Sequence, residues 1–364
     1  MSSVQPLKTI TAKELEKMEL PPIEFIVNDL VPIGLGVLAA PSKTGKSFMV
    51  LDMAVCIVKG SLFLGYSTNK GEVLYLALED SKVRVKDRLG KILGKREYPA
   101  GLHIATDARR LMGGELTEQI DIHMRKHDKT KLIIIDTFQK IRPPRKAGKD
   151  PYEADYEVLG ELQEICKKRK VGILLVHHTK KKGGKDCDPF ELILGSTAIA
   201  GASDYMIVLD QKQDNDHFTL HAKGRDIENI DLALEMDWKD FRWQRLGSAQ
   251  DIYDRKMRAA YQEHPAIKTL KHKLAEIEAD PDEPIKEYIT TATDFQNDIR
   301  LFTCQQVGTS ARDFNRIMQE FNPYLLEDGI KHTFTGVTEY YKGLRGKLHK
   351  YKHCLLYTSP SPRD

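Results

Sequence analysis

The sequence predicts an α/β fold built on a mainly parallel β-sheet with an antiparallel extension, followed by a small C-terminal helical or winged-helix domain. From about residue 30 to residue 176, short apolar segments alternate with stretches of helical periodicity. These segments do not alternate between apolar and polar residues. Strands lack this alternation when both faces of a parallel sheet are covered. Beyond residue 200, short connections join further apolar segments, which favours antiparallel pairing.

The elements follow from this pattern in chain order. Short, mainly apolar runs predict the parallel strands at residues 34–40, 72–79, 101–106, 131–136 and 171–176. Apolar residues at helical spacing, as on one face of the segment 152–170, predict helices at residues 46–59, 81–93, 115–127 and 152–170. Short runs between polar connections predict the extension strands at residues 205–210, 217–223, 231–236 and 241–246.

Composition excludes several classes of protein. The 364 residues carry 56 Lys and Arg against 53 Asp and Glu, and 41% of them are hydrophobic, which excludes a mostly disordered chain. No apolar run approaches the roughly 18 residues of a membrane span, and the first residues contain no apolar segment of signal-peptide type. The five cysteines are scattered and form no CxxC pair. A cytoplasmic protein without a membrane partner, zinc site or disulfide framework is therefore expected.

The segment Ala40-Pro-Ser-Lys-Thr-Gly-Lys-Ser47 predicts a phosphate-binding loop, because it follows a strand and opens a helix. The backbone N–H groups of such a loop surround the phosphates, helped by the helix N-terminus. Lys46 would reach the β- and γ-phosphates, and Ser47 would bind Mg²⁺. Ala40 replaces the usual first glycine. The nucleotide-binding residues expected here are Ser42, Lys43, Thr44, Gly45, Lys46, Ser47 and Phe48.

Polar residues end three of the predicted strands. Asp136 follows an isoleucine-rich strand, where its carboxylate could hold Mg²⁺ or simply cap a turn. Glu79 ends the strand 72–79 and could activate the attacking water, or it could serve with Asp80 as a helix cap. His177 and His178 follow the strand 171–176. His178 is the better candidate for a phosphate sensor, and His177 for a packing role.

The ordered motifs resemble the RecA-superfamily ATPases of RepA type, which are hexameric replicative helicases of plasmids, phages and integrative elements. The segments that carry this resemblance are APSKTGKS, YLALED, LIIIDTFQKIR, ADYEVLGEL, LLVHHTKK, LGSTAIAGASD and KGRD, within about residues 20–247. The resemblance implies a RecA-like core, ATP and Mg²⁺, a hexameric ring and single-stranded DNA in its channel. It further implies that Glu79 is the catalytic base, that Asp136 is the Walker B aspartate and that His178 is the γ-phosphate sensor.

The resemblance also implies a role for Lys223-Gly224-Arg225, which is similar to the Lys-x-Arg element that DnaB-type rings insert into a neighbouring site. Lys223 would then contact the nucleotide, and Arg225 would neutralise charge on the transferred phosphoryl group. An arginine acting in trans requires a head-to-tail interface, which closes into a ring. The alternative is a polar hairpin turn.

Two basic segments, residues 140–150 and 180–188, could contact nucleic acid. Each follows a strand end at the predicted nucleotide edge, where mobile cations can neutralise DNA phosphates without reading sequence. Solvated basic loops are the alternative interpretation. The residues expected to contact single-stranded DNA are Lys140, Arg142, Arg145, Lys146, Lys180, Lys181, Lys182 and Lys185.

The sequence divides into an N-terminal lead-in, an ATPase domain, a helical linker and a C-terminal domain, at residues 1–20, 21–248, 249–284 and 285–353. In the C-terminal domain, Ser310 and Asp313 have capping-box spacing before an apolar helical stripe, and a basic segment with turn glycines follows. A winged helix on duplex DNA and a packing or oligomerisation domain remain alternatives. Residues 354–364 resemble a translated sequencing adapter, and we expect no function from them; a short Ser/Pro tail is the alternative.

Three functions fit these observations. The first is an ATP-driven helicase or translocase on single-stranded DNA in mobile-element replication. The second is a replication initiator or loader in which ATP only switches DNA binding. The third is a KaiC-like regulatory ATPase, which the basic segments disfavour.

Overall fold

The computed structural model describes residues 8–111, 113–143, 151–180, 187–193, 196–211, 216–308 and 310–354. The chain divides into two compact units, Met1–Ala249 and Gln250–Asp364. Of the suspected adapter segment, only Cys354 lies within the described residues. Among the described helices, none is long and apolar enough to cross a membrane.

The first unit contains a large sheet flanked by helices. Its strands are β1 (Phe25–Val27), β2 (Val31–Pro32), β3 (Leu35–Ala40), β4 (Glu72–Ala77), β5 (Leu102–Ala105), β6 (Thr130–Asp136), β7 (Gly172–His178), β8 (Tyr205–Asp210), β9 (Phe218–Gly224), β10 (Ile230–Asp237) and β11 (Arg242–Ser248). Its helices are α1 (Ala12–Glu16), α2 (Lys46–Lys59), α3 (Lys82–Leu93), α4 (Glu115–Lys126), α5 (Phe138–Ile141), α6 (Pro151–Arg169) and α7 (Ser196–Ala202), with a 3₁₀ turn at Pro189–Leu192.

The nine strands of the main sheet lie in the order β11-β10-β9-β8-β3-β7-β6-β4-β5. The strands from β8 to β5 are parallel, and β9, β10 and β11 extend the sheet by antiparallel pairing. This confirms the predicted α/β class and the predicted antiparallel extension. Apolar residues form a core cluster on each face of the sheet, which explains why the central parallel strands are mainly apolar.

Close strand pairing accounts for one glycine in the phosphate-loop strand. Gly36 in β3 lies opposite Tyr205 in β8. A Cβ atom at Gly36 would lie 2.0 Å from the Tyr205 ring. Tyr205 is fully buried, so its ring has little room to move. Glycine therefore allows the tyrosine ring to pack over the strand that leads into the phosphate loop.

The second unit combines helices with a small antiparallel β-sheet. Its elements are α8 (Ala249–Glu263), α9 (Pro265–Ala279), β12 (Tyr288–Thr291), α10 (Ala292–Thr303), α11 (Ala311–Glu320), α12 (Asn322–Glu327), β13 (Ile330–Tyr341) and β14 (Leu344–His353). The three strands form an antiparallel sheet in the order β12-β14-β13. The Ser310 hydroxyl accepts a hydrogen bond from the Asp313 backbone N–H at 3.2 Å and so caps α11.

Helices α8 and α9 belong to this second unit, although the sequence interpretation placed residues 249–284 in a linker. Tyr261 of α8 and Ile267, Leu270 and Leu274 of α9 are buried in the same core as Phe295. Ile267, Leu270 and Leu274 lie on one face of α9, and that face covers this core. Burial of that face, at about 25 cal/mol per Å² of apolar surface, stabilises the unit.

Candidate active site

The sheet order brings four sequence motifs to one edge. Strands β3, β7, β6 and β4 are consecutive neighbours and run parallel. The phosphate loop follows β3, while His178 ends β7, Asp136 ends β6 and Glu79 follows β4. Parallel strands have their carboxyl ends at the same edge, which is where α/β proteins bind ligands. The structure therefore brings these three side chains and the loop together.

The phosphate loop is a compact turn that ends at the first residue of α2. The Thr44 hydroxyl donates to the Pro41 carbonyl at 2.8 Å. Lys43 and Gly45 have positive φ values of 65° and 84°. The indole N–H of Trp243 in β11 donates to the Gly45 carbonyl at 3.4 Å, a long hydrogen bond. These contacts hold the loop before α2, whose N-terminus favours bound anions.

Lys46 is the buried cation of the loop. Its Nζ donates to the Ala40 and Pro41 carbonyls at 2.9 and 2.7 Å, and it lies 3.3 Å from His178 Nδ1. Burial lowers the pKa of Lys46 to about 8, while the carboxylates of Asp136 and Glu79 oppose that shift. Most Lys46 side chains are therefore charged at neutral pH. A bound phosphate group would give Lys46 Nζ a negatively charged partner in place of two neutral carbonyl groups.

Ser47 and Asp136 form a pair of oxygen donors. The Ser47 hydroxyl donates to Asp136 Oδ2 at 3.0 Å, and the buried Tyr75 hydroxyl donates to the same oxygen at 2.8 Å. Burial raises the pKa of Asp136, because its charge lacks solvent. Hydroxyl and carboxylate oxygens are the ligands that Mg²⁺ prefers, and a cation here would offset the cost of burial. The residues fit a magnesium site.

Glu79 lies at the open side of this edge. Its Oε1 accepts a hydrogen bond from the Thr137 hydroxyl at 3.0 Å, and Thr137 directly follows Asp136. Glu79 is exposed, so its carboxylate is open to water. Asp80, the other acid of the pair, forms ion pairs with Arg84 and Arg88 of α3. Asp80 is thus engaged by cations, and Glu79 is the acid held towards Asp136.

The two histidines after the β7 apolar run occupy different environments. His178 is half-buried, and Ser42 Oγ lies 3.4 Å from its Nδ1. Burial and the nearby Lys46 charge lower the pKa of His178. A neutral imidazole can accept the Lys46 hydrogen bond at Nδ1. His177 is buried and packs edge-on against Phe138 at 5.9 Å between ring centroids.

Arg225 and Lys223 do not contact the phosphate loop of this chain within the described residues. Arg225 forms an ion pair with Asp204 at 3.1 Å, and Asp204 also accepts from the Leu35 N–H at 2.9 Å. Leu35 is the first residue of β3, and the phosphate loop follows the last residue of β3. These two ends of the strand are about 17 Å apart at 3.3 Å per residue. Lys223 Nζ lies 3.5 Å from Asp188 and 3.9 Å from the centre of the Phe190 ring.

The basic segments lie only partly within the described residues. Lys140 and Lys180 are exposed. Arg142 forms an ion pair with Asp155 and lies over Phe138, and only 16% of its side chain is exposed. A DNA contact by Arg142 would have to break that pair. The remaining predicted DNA contacts lie outside the described residues: Arg145, Lys146, Lys181, Lys182 and Lys185.

Phe48, predicted to contact nucleotide, lies in the first turn of α2. Its ring stacks on Phe241 with 5.2 Å between centroids, and the Arg88 guanidinium lies 5.8 Å from its centre. Phe241 lies in the turn between β10 and β11. Phe48 therefore joins the start of α2 to the antiparallel extension.

Comparison with known proteins gives a family. The family described as "AAA domain" matches residues 2–184, half of the chain. The chain belongs to the AAA domain family. The matched residues of this AAA domain protein include the phosphate loop, Glu79, Asp136 and His178.

Two solved structures are similar to this AAA domain protein. One, described as an ATPase domain, has a TM-score of 0.47 at 13% identity, over 59% of this chain and 85% of that one. A structure titled "The Structure Of A DnaB-Like Replicative Helicase And Its Interactions With Primase" also has a TM-score of 0.47 at 13% identity. It is matched over 64% of this chain and 66% of that one. At these values neither similarity establishes a function for this AAA domain protein.

Sequence reasoning missed three residues that shape the site. Tyr75 orients Asp136, Thr137 orients Glu79, and Trp243 contacts the phosphate loop. A tyrosine inside an apolar strand is a detectable clue, because a buried hydroxyl usually finds a partner. Nothing in the sequence connects Trp243 to a loop almost 200 residues earlier.

Proposed function

We propose that this AAA domain protein is an ATP-dependent DNA helicase or translocase of RepA type, which hydrolyses ATP while bound to single-stranded DNA. The observation that carries the proposal is the convergence of Lys46, Ser47, Asp136 and Glu79 at one edge of the sheet. The alternative is an initiator or loader in which the same site switches DNA binding without unwinding.

Each residue has a distinct role in hydrolysis. The loop N–H groups and Lys46 bind and orient the phosphates. Ser47 and Asp136 would hold Mg²⁺, which neutralises charge on the transferred group when it is bound. Glu79, held by Thr137, would orient a water and accept its proton. His178, next to Lys46, would contact the γ-phosphate and sense its loss.

The position of Arg225 favours action between subunits. Its ion pair with Asp204 lies at the amino end of the parallel strands, opposite the edge that holds its own phosphate loop. An arginine at that edge can meet a phosphate loop when a second copy packs head to tail. We propose a closed homo-oligomer, a hexameric ring, with Arg225 acting in trans and Lys223 beside it.

Single-stranded DNA is the proposed substrate of the motor. Lys140 and Lys180 are exposed cations that follow β6 and β7 at the nucleotide edge. If these segments move when ATP is hydrolysed, their contacts with DNA phosphates would change. Contacts of this kind do not depend on base sequence.

Two measurements test this function together. ATP turnover should rise when single-stranded DNA is added, and ATP should drive strand displacement on a forked duplex. Lys46→Ala is the inactive control, because it removes the charge that faces the β- and γ-phosphates. DNA-stimulated turnover without strand displacement would favour the initiator or loader. ATP turnover that is unchanged by DNA would contradict both the helicase or translocase and the initiator or loader.

The C-terminal unit is a candidate site for duplex DNA. Its β13–β14 hairpin contains six Lys and Arg. Three of them form ion pairs with glutamates, namely Lys342, Lys350 and Lys352. Arg345 and Lys347 are exposed, and they project from the same face because residues two apart on a strand do so. Within the described residues, neither has an acidic ion-pair partner. We propose that this face contacts duplex phosphates.

Arg345→Ala combined with Lys347→Ala should weaken duplex binding and reduce its salt dependence. Each phosphate contact removed lowers the slope of log affinity against log salt by about 0.9. Fluorescence anisotropy with labelled duplex across a salt series measures this slope. Lys352→Ala is the matched control, because its cation is already neutralised by Glu287. Equal slopes for the double variant and the wild type would contradict a role of this face in DNA binding.

A further inference from the structure

A cluster of histidines and one glutamate lies at the opposite end of β4 from the ATP site. Glu72 is the first residue of β4, His103 lies in β5, and His127 directly follows α4. Glu72 Oε2 lies 3.1 Å from His103 Nε2 and 3.4 Å from His127 Nδ1. One potential ligand atom from each of the three residues lies within 4.8 Å of the others. We propose that these three side chains bind a divalent transition metal ion, with Zn²⁺ as the expected occupant.

The three residues reach this point from three separate elements. They are 31 and 24 residues apart in the chain, since they occupy positions 72, 103 and 127. Glu72 lies about 17 Å from the end of β4, at 3.3 Å per residue over five steps. The cluster is therefore separate from the proposed magnesium ligands, and ATP chemistry does not account for it.

The packing of the imidazoles distinguishes this cluster from an ordinary salt bridge. The ring centroids of His103 and His127 are only 3.9 Å apart. His123 of α4 packs against both, at 5.1 Å from His103 and 4.6 Å from His127. The Nε2 atom of His123 is buried and has no hydrogen-bond partner within the described residues. Glu72 contacts His103 and His127 through the same oxygen, and a metal ion would give that oxygen and the two imidazole nitrogens a common partner.

The donor set selects the class of metal. Two imidazole nitrogens and a carboxylate oxygen suit Zn²⁺ and similar first-row ions, whereas Mg²⁺ prefers oxygen ligands and retains water. Three protein ligands leave at least one coordination position for water. The side chains of Glu72, His103 and His127 are partly exposed, so an ion can reach them from solvent. Such an ion would join the start of β4 to β5 and to the end of α4.

The test uses the full-length chain with its purification tag removed. Calorimetric titration with Zn²⁺ should show one strong site per chain, and Zn²⁺ should raise the thermal unfolding midpoint while Mg²⁺ alone should not. Glu72→Gln and His103→Ala should each weaken Zn²⁺ binding by at least about 100-fold, since loss of a mere supporting partner already costs 10–100-fold. Substitution of Co²⁺ should give visible absorption bands that both variants lose.

The matched control is His221→Ala. His221 also contacts a carboxylate, with its Nδ1 2.5 Å from Asp231 Oδ1, but it lies outside the cluster. It should bind Zn²⁺ with wild-type affinity. Circular dichroism of each variant without metal checks that the fold is retained. Absence of a strong site in the wild type would overturn the proposal. Unchanged affinity in folded Glu72→Gln and His103→Ala would overturn it as well.

Discussion

Subunits with Arg225→Ala should hydrolyse ATP about 10³–10⁵-fold more slowly than the wild type, the range for loss of an arginine that stabilises a phosphoryl-transfer transition state. The variant should fold normally. Its side chain is 63% exposed, and an exposed ion pair such as that with Asp204 contributes little to stability. The loss should therefore appear in turnover and not in thermal unfolding.

A mixing experiment separates action in trans from action within one subunit. Lys46→Ala subunits retain Arg225, and Arg225→Ala subunits retain the phosphate loop. At a mixed interface an intact loop can face an intact arginine, so mixing two inactive variants should restore part of the activity. The recovery should grow with protein concentration and with time for subunit exchange.

Arg169→Ala is the matched control for this experiment, since Arg169 is also a partly exposed arginine that pairs with an aspartate, Asp121. It should hydrolyse ATP normally. Normal turnover by Arg225→Ala would disprove the role of Arg225. An inactive mixture with verified co-assembly would disprove its action in trans. In the first case the segment KGRD would be an ordinary polar turn.

Glu79→Gln should bind ATP and Mg²⁺ but hydrolyse ATP at least about 100-fold more slowly, the usual scale for a lost general base. Glutamine keeps the oxygen that accepts the Thr137 hydrogen bond, so the local geometry should persist. It cannot accept the proton of the attacking water. Equilibrium binding of a fluorescent ATP analogue and steady-state phosphate release measure the two effects separately.

Asp80→Asn is the control for Glu79, because Asp80 is the adjacent acid but is held by Arg84 and Arg88. Its turnover should stay within a few-fold of the wild type. If Glu79→Gln were fully active and Asp80→Asn inactive, the assignment of the base would move to Asp80.

The sequence alone determined the class of the fold, and it predicted most of the side chains that meet at the proposed nucleotide edge. Apolar strands that alternate with helical stretches predicted the parallel sheet. Strands covered on both faces carry apolar residues at successive positions, and this pattern is visible in the local sequence. The loop from Ala40 to Ser47 was recognisable because its residues are contiguous. Asp136 and Glu79 were recognisable because polar residues that end buried strands meet at one edge.

Only the tertiary structure decided which distant side chains meet. Three examples join residues far apart in the chain: the contact of Tyr75 with Asp136, the contact of Trp243 with Gly45 and the three-element cluster around Glu72. The sequence predicted a helical linker over residues 249–284, but it could not show that α9 belongs to the C-terminal core. Periodicity along a chain indicates which face of an element is buried. It does not indicate which other element covers that face, because this depends on how elements far apart in the chain pack together.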